Sequence, residues 1–123
     1  MWNNLIVIFL AQEYCSCKAV LHCFTGNIDE AKEAQKRGWM ISFSGVVTFK
    51  KSQALRQVAK EMPLDKLLIE TDCPYLAPEG LRGKINEPAY LVSTAREMAR
   101  IKNISLEELA LATTKNACDF FNF

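Results

Sequence analysis

The most informative segment of the sequence is Leu67-Leu68-Ile69-Glu70-Thr71-Asp72-Cys73-Pro74. Its first three residues form a continuous apolar run, which is typical of a strand covered on both faces. Glu70 and Asp72 lie two residues apart, so they point the same way on an extended chain. Pro74 ends the strand because it has no N–H group for the ladder. This pattern predicts a carboxylate where a buried strand meets a loop, and α/β folds bind ligands there. The alternative is that Asp72 only caps the turn.

Two earlier apolar runs, residues 19–24 and 39–44, predict two further strands. Helix patterns cover residues 27–37 and 52–62, and Asn27 and Gly38 are typical of the two ends of the first of these helices. Pro88 marks the start of a third helix. A capping box at 105–108 begins the last helix, which is expected to point Leu106, Leu109, Ala110 and Ala112 inward. Strand and helix therefore alternate three times before the final helix. This order predicts an α/β fold with three parallel strands and right-handed crossovers.

The bulk composition limits the class of protein. With 123 residues, half of them hydrophobic, the chain has one domain's worth of core, and its net charge of +1 argues against blanket electrostatic binding to nucleic acid. The five cysteines are odd in number and lack zinc-site spacing, which favours reduced thiols and a cytoplasmic location. The apolar residues 5–11 are too few to span a bilayer, so we expect no membrane association.

The single histidine of the chain, His22, lies near the carboxyl end of its predicted strand, as Asp72 does on its own strand. The carboxyl ends of parallel strands face the same edge of a sheet. An imidazole and a carboxylate that meet there can bind a divalent metal. The alternative is a hydrogen-bonded histidine in the core.

A loop of about fifteen residues follows the third strand, and loops of that length are commonly functional. Arg82 and Lys84 in this loop could contact phosphate oxygens, or they could form an ordinary solvated basic loop. Phe24 and Tyr75 lie near the same edge of the sheet. Their rings could stack on bases or pack the loops.

Four blocks of the sequence resemble the TatD family of metal-dependent deoxyribonucleases. They are Val20-Leu21-His22-Cys23-Phe24-Thr25-Gly26, Ser42-Phe43-Ser44-Gly45, Glu70-Thr71-Asp72-Cys73-Pro74-Tyr75-Leu76 and Arg82-Gly83-Lys84-Ile85-Asn86-Glu87-Pro88. The resemblance covers residues 18–123 and implies the C-terminal portion of a (β/α)₈ TIM-like barrel. Residues 1–17 are expected to be a separate N-terminal segment outside the family.

The resemblance also implies roles for matching residues. His22 and Asp72 would be the catalytic residues and the metal ligands, and Glu70 would support them. Asn86 would join Arg82 and Lys84 in binding the substrate, which would be DNA. The cofactor would be a divalent metal, with Mg²⁺ first and Zn²⁺ or Mn²⁺ as alternatives.

The length of the chain bears on activity, because a complete barrel needs about 250 residues. The sequence also lacks the His-x-His pair of the family's first strand. We therefore expect an incomplete barrel, truncated and weakly active or inactive alone. Its open strand edges predict self-association or pairing with the missing barrel half. The alternatives are a non-catalytic interaction module and a barrel enzyme acting on a small molecule.

Overall fold

The computed structural model describes residues 17–123, in which three strands alternate with helices as the sequence predicts. In chain order the elements are β1 (Val20–Leu21), α1 (Ile28–Lys36), β2 (Met40–Phe43), α2 (Gln53–Glu61), β3 (Leu67–Ile69), α3 (Leu91–Lys102) and α4 (Leu106–Phe121). Short 3₁₀ turns occur at Gly45–Thr48, Leu64–Lys66 and Pro88–Tyr90. The expectations for residues 1–16 lie outside the described residues.

The three strands form one parallel sheet in the order β1-β2-β3, which confirms the predicted topology. Successive side chains point to opposite faces of a strand. Ile41, Phe43 and Leu67 therefore face the helices, where they join the buried core. Val20 and Leu68 line the other face, in an open cavity of about 550 Å³.

The helix ends follow the predicted signals. The side chain of Asn27 accepts hydrogen bonds from the N–H groups of Asp29 and Glu30, and the Glu30 carboxylate accepts one from the N–H of Asn27. This capping box fixes the first turn of α1. At the other end Gly38 has a φ of +72°, a left-handed conformation that glycine adopts without steric penalty.

The inward face of α4 differs from its prediction. Leu106, Leu109, Ala110 and Ala112 were expected to point into the core, but only Leu109 is buried. Leu106 and Ala110 instead line an apolar groove beside β3. The apolar periodicity predicted the helix correctly. It does not show which of the apolar residues pack into the core and which line the groove. Within residues 17–123, no helix is long and apolar enough to cross a membrane.

Candidate metal centre

The carboxyl ends of the strands bring together three side chains that can bind a metal ion. His22 follows β1 directly, and Glu70 and Asp72 follow β3. Each residue offers one ligand atom, and these atoms all lie within 4.8 Å of one another. The predicted convergence of His22 and Asp72 is therefore confirmed as geometry. Their assignments as catalytic residues and metal ligands stay predictions.

A bulge directly after β1 accompanies the turn that contains His22. The N–H of Met40 donates to the carbonyl of Ala19, so regular parallel pairing would let the N–H of Cys23 donate to the carbonyl of Ser42. That carbonyl instead accepts from Phe24, at 3.0 Å. One extra residue thus interrupts the ladder, and Cys23 takes a φ of +46°. Bulges of this kind re-aim a side chain next to a functional site.

The displaced N–H of Cys23 donates to Oε1 of Glu70 at 2.7 Å. The same oxygen lies 3.8 Å from Nδ1 of His22. Glu70 also stays in the ladder through its own N–H, which donates to the carbonyl of Phe43. Glu70 thus links the end of β3 to the bulge of β1 across the intervening strand. The family resemblance implied a supporting role for Glu70. In the structure one of its carboxylate oxygens also lies within 4.8 Å of the ligand atoms of His22 and Asp72, so Glu70 can itself bind the ion.

Asp72 carries the feature that best fits a cation. Its Oδ2 atom is buried and has no hydrogen-bond partner among the described residues. A buried polar atom without a partner is costly, and a cation satisfies a carboxylate oxygen in this position. Two carboxylates and one imidazole are a donor set for Mg²⁺, Mn²⁺ or Zn²⁺. The residues present therefore fit a divalent metal.

Cys23 and Ser44 lie beside this cluster, and the sequence analysis did not identify them as site residues. Sγ of Cys23 is 3.5 Å from Oγ of Ser44. Burial, with a smaller contribution from the negative charges of Asp72 and Glu70, raises the pKa of the Cys23 thiol to about 11, although the hydrogen bond with Ser44 acts to lower it. Cys23 could have been proposed from the sequence, because it follows the candidate ligand His22 directly. The described cysteines, residues 17, 23, 73 and 118, are all free thiols.

The three predicted substrate residues lie in the loop after β3 and make no hydrogen bond or ion pair with the cluster in the described part of the chain. The guanidinium of Arg82 lies 4.5 Å from the ring centroid of Phe49, and the side chain of Lys84 is exposed. Asn86 is buried. Its Nδ2 donates to the carbonyl of Tyr75 at 2.6 Å, and its Oδ1 accepts from the N–H of Glu87. Asn86 therefore closes the loop, and its role toward a substrate stays a prediction.

We expect the Asn86→Ala variant to be less stable than the native chain by about 1–3 kcal/mol. The reason is that the carbonyl of Tyr75 and the N–H of Glu87 lose partners in a loop whose anchor is buried. Urea unfolding measures this difference. The matched control is Lys84→Ala, an exposed side chain, which should change stability by less than about 0.5 kcal/mol. Equal stability of the two variants would contradict the anchoring role.

Solved structures define the class of fold. The described strands and helices are a section of a TIM barrel. The chain superposes on an Escherichia coli K12 TatD homologue, YJJV, with a TM-score of 0.91 and 24% identity, covering 98% of this chain and 47% of that one. A TatD family hydrolase from Entamoeba histolytica gives a TM-score of 0.80 at 30% identity, with 97% and 47% covered.

The sequence comparison then gives the family. The profile of the TatD related DNase family matches residues 2–122, and the chain belongs to this family. A Bacillus subtilis protein described as the uncharacterized metal-dependent hydrolase YabD is 47% identical over 83% of this chain and 40% of its own length. The Escherichia coli K12 protein YcfH, described in the same terms, is 44% identical over 95% of this chain and 44% of its own length. The chain thus spans less than half the length of these relatives.

Proposed function

We propose that the chain forms the C-terminal part of the catalytic site of a metal-dependent hydrolase that cleaves phosphodiester bonds in DNA. The observation that carries this proposal is the cluster of His22, Glu70 and Asp72, in which Oδ2 of Asp72 is buried and has no hydrogen-bond partner within residues 17–123. Membership of the family described as TatD related DNase supports the reaction, and two relatives are described as metal-dependent hydrolases.

Three side chains would hold the cation. His22 would bind through a ring nitrogen, and Asp72 and Glu70 would bind through carboxylate oxygens. A bound divalent ion polarises a phosphoryl oxygen and lowers the pKa of water. Asp72 would also orient the attacking water, because its carboxylate has a second oxygen. Two of the three donors are carboxylates, which favours Mg²⁺ over the softer Zn²⁺ and leaves Mn²⁺ as the alternative.

DNA is proposed over a small molecule because the loops that follow β2 and β3 carry exposed cations. Arg82 and Lys84 are exposed in the loop after β3, and Lys50 and Lys51 are exposed after the turn that follows β2. Exposed cations at this end of the sheet suit a phosphate backbone. Because the net charge of the whole chain is near neutral, these basic loops alone would bind the DNA phosphates. The cytoplasmic location expected from the cysteine pattern stays a prediction.

The experiment is cleavage of a labelled single-stranded oligonucleotide by the purified chain. We expect slow cleavage in Mg²⁺, complete loss in EDTA and recovery when Mg²⁺ is added back. The rate should be low because three ligands from one section of a barrel leave the ion exposed to solvent. Cleavage that continues at full rate in EDTA would contradict a metal-dependent reaction.

A second candidate function is a non-catalytic interaction module, which the open edges of the sheet favour. Within residues 17–123, β1 and β3 each pair with β2 alone, so each has one unpaired edge. An apolar groove of about 540 Å³ runs beside β3, with exposed Val92, Leu106 and Phe123 among its lining residues. We propose that further barrel strands cover this edge, supplied by the missing barrel half or by a second copy.

Sedimentation velocity of the purified chain tests this second candidate. We expect association that strengthens with concentration, and a Leu106→Glu variant should weaken it because a charge in the groove cannot be buried without a partner. The control is Glu108→Gln, on the exposed first turn of the same helix but not among the residues that line the groove. A monomer at all concentrations that melts cooperatively at high temperature would contradict the need for a covering partner.

A further inference from the structure

Phe24 and Tyr75, which were predicted to lie near the same edge of the sheet, differ sharply in burial. Phe24 is 2% exposed and packs edge-on against Phe43, with ring centroids 6.2 Å apart, so it belongs to the core. Tyr75 is 74% exposed, although it lies only three residues after Asp72. Burial of an aromatic ring normally adds stability, and the Tyr75 ring forgoes this gain in the loop that begins at Asp72.

The backbone that carries Tyr75 is held firmly. Its N–H donates to the carbonyl of Asp72 at 2.8 Å, and its carbonyl accepts from the buried side chain of Asn86 at 2.6 Å. The N–H of Asn86 also donates to the carbonyl of Pro74. The next residue packs closely on Gly45, where an added Cβ would lie 2.7 Å from the carbonyl oxygen of Leu76. The ring is therefore displayed from a fixed position, and only its two side-chain torsions remain to be ordered on binding.

The surroundings of the ring suit a nucleotide. Ile85 is also 74% exposed. It directly precedes Asn86, so the segment that is hydrogen-bonded to Pro74 also carries an exposed apolar side chain. The same loop is hydrogen-bonded to the turn after β2 that contains Lys50 and Lys51. The N–H of Glu79 donates to Oγ1 of Thr48, and the Glu79 carboxylate accepts from the N–H of Lys50. Apolar surface and exposed cations thus occur together at one end of the sheet.

We propose that Tyr75 binds substrate by stacking on an unpaired nucleobase next to the phosphate held at the cluster of His22, Glu70 and Asp72. This inference rests on the proposed function and adds the part of the substrate that is recognised. Stacking on an aromatic side chain needs only the flat face of a base, so it tolerates any sequence. The basic side chains would bind the phosphates, and Tyr75 would bind the base.

Fluorescence anisotropy with two labelled probes tests the proposal. One probe is a single-stranded oligonucleotide of about ten nucleotides, and the other has the same phosphates but abasic sugars throughout. We expect Tyr75→Ala to weaken binding of the normal probe by roughly five- to a hundredfold and to leave binding of the abasic probe unchanged. Tyr75→Phe keeps the ring and should bind both probes as the native chain does. Circular dichroism verifies folding, and a denaturing gel verifies that the probes stay intact.

Two outcomes would overturn the proposal, and they differ from each other. If the native chain binds the normal probe and Tyr75→Ala weakens both probes equally or neither, stacking is refuted while the proposed nucleic-acid substrate stands. If the native chain binds neither probe, the DNA substrate itself is refuted and stacking falls with it.

Discussion

Replacing Asp72 by asparagine is expected to reduce Mg²⁺-dependent cleavage of DNA by about a hundredfold or more. Loss of a partner that only orients a metal ligand already lowers metal affinity or activity by about 10–100-fold, and loss of a direct ligand should do at least as much. Asparagine has nearly the same shape as aspartate but no charge. The buried Oδ2 would be replaced by an amide or a neutral oxygen, which binds a divalent cation poorly.

The control for this variant is Asp65→Asn. Asp65 is an exposed aspartate in the 3₁₀ turn that precedes β3, at the opposite end of the strand. The same chemical change there should leave the rate of cleavage unaltered. If Asp72→Asn cleaves DNA as fast as Asp65→Asn, the activity does not come from this site.

The variants Glu70→Ala and Glu70→Gln are expected to separate the two roles that the structure allows for this carboxylate. Alanine removes the acceptor of the Cys23 N–H and the charge 3.8 Å from His22, so we expect the affinity for Mn²⁺ to fall by about 10–100-fold. Glutamine keeps an oxygen that can accept from Cys23 but has no charge. If Glu70 acts by holding the bulge, glutamine restores the affinity; if it binds the ion, both variants are equally weak.

Electron paramagnetic resonance of free Mn²⁺ measures these affinities, and amide exchange at Cys23 reports on the bulge. Glu61→Gln, an exposed glutamate at the end of α2, is the control. Native affinity together with native exchange at Cys23 in Glu70→Ala would contradict both roles.

The parts of the fold that were predicted correctly from the sequence are those that depend on regular local patterns. Apolar runs located the three strands, and the Asn27 cap and Gly38 marked both ends of α1. The parallel order of the sheet then followed from the alternation of strands and helices, because right-handed crossovers bring successive strands side by side. The same rule placed His22 and Asp72 at one edge, and the structure brings them together there.

Features that depend on tertiary contacts could not be predicted in the same way. The bulge at Cys23 exists because a carboxylate 47 residues away takes its N–H, and residues 19–24 look like an uninterrupted strand. The burial of Asn86 likewise depends on the carbonyls of Pro74 and Tyr75, which face it only after the loop has closed. Local propensity contains no information about such partners.

His22 and Asp72 are proposed to bind one divalent cation together at the carboxyl edge of the sheet. Anomalous scattering from crystals of the chain soaked in Mn²⁺ would locate this ion. We expect one strong peak at about 2.0–2.3 Å from a ring nitrogen of His22 and from a carboxylate oxygen of Asp72. A peak bound elsewhere, or no peak between these two side chains at saturating Mn²⁺, would contradict it.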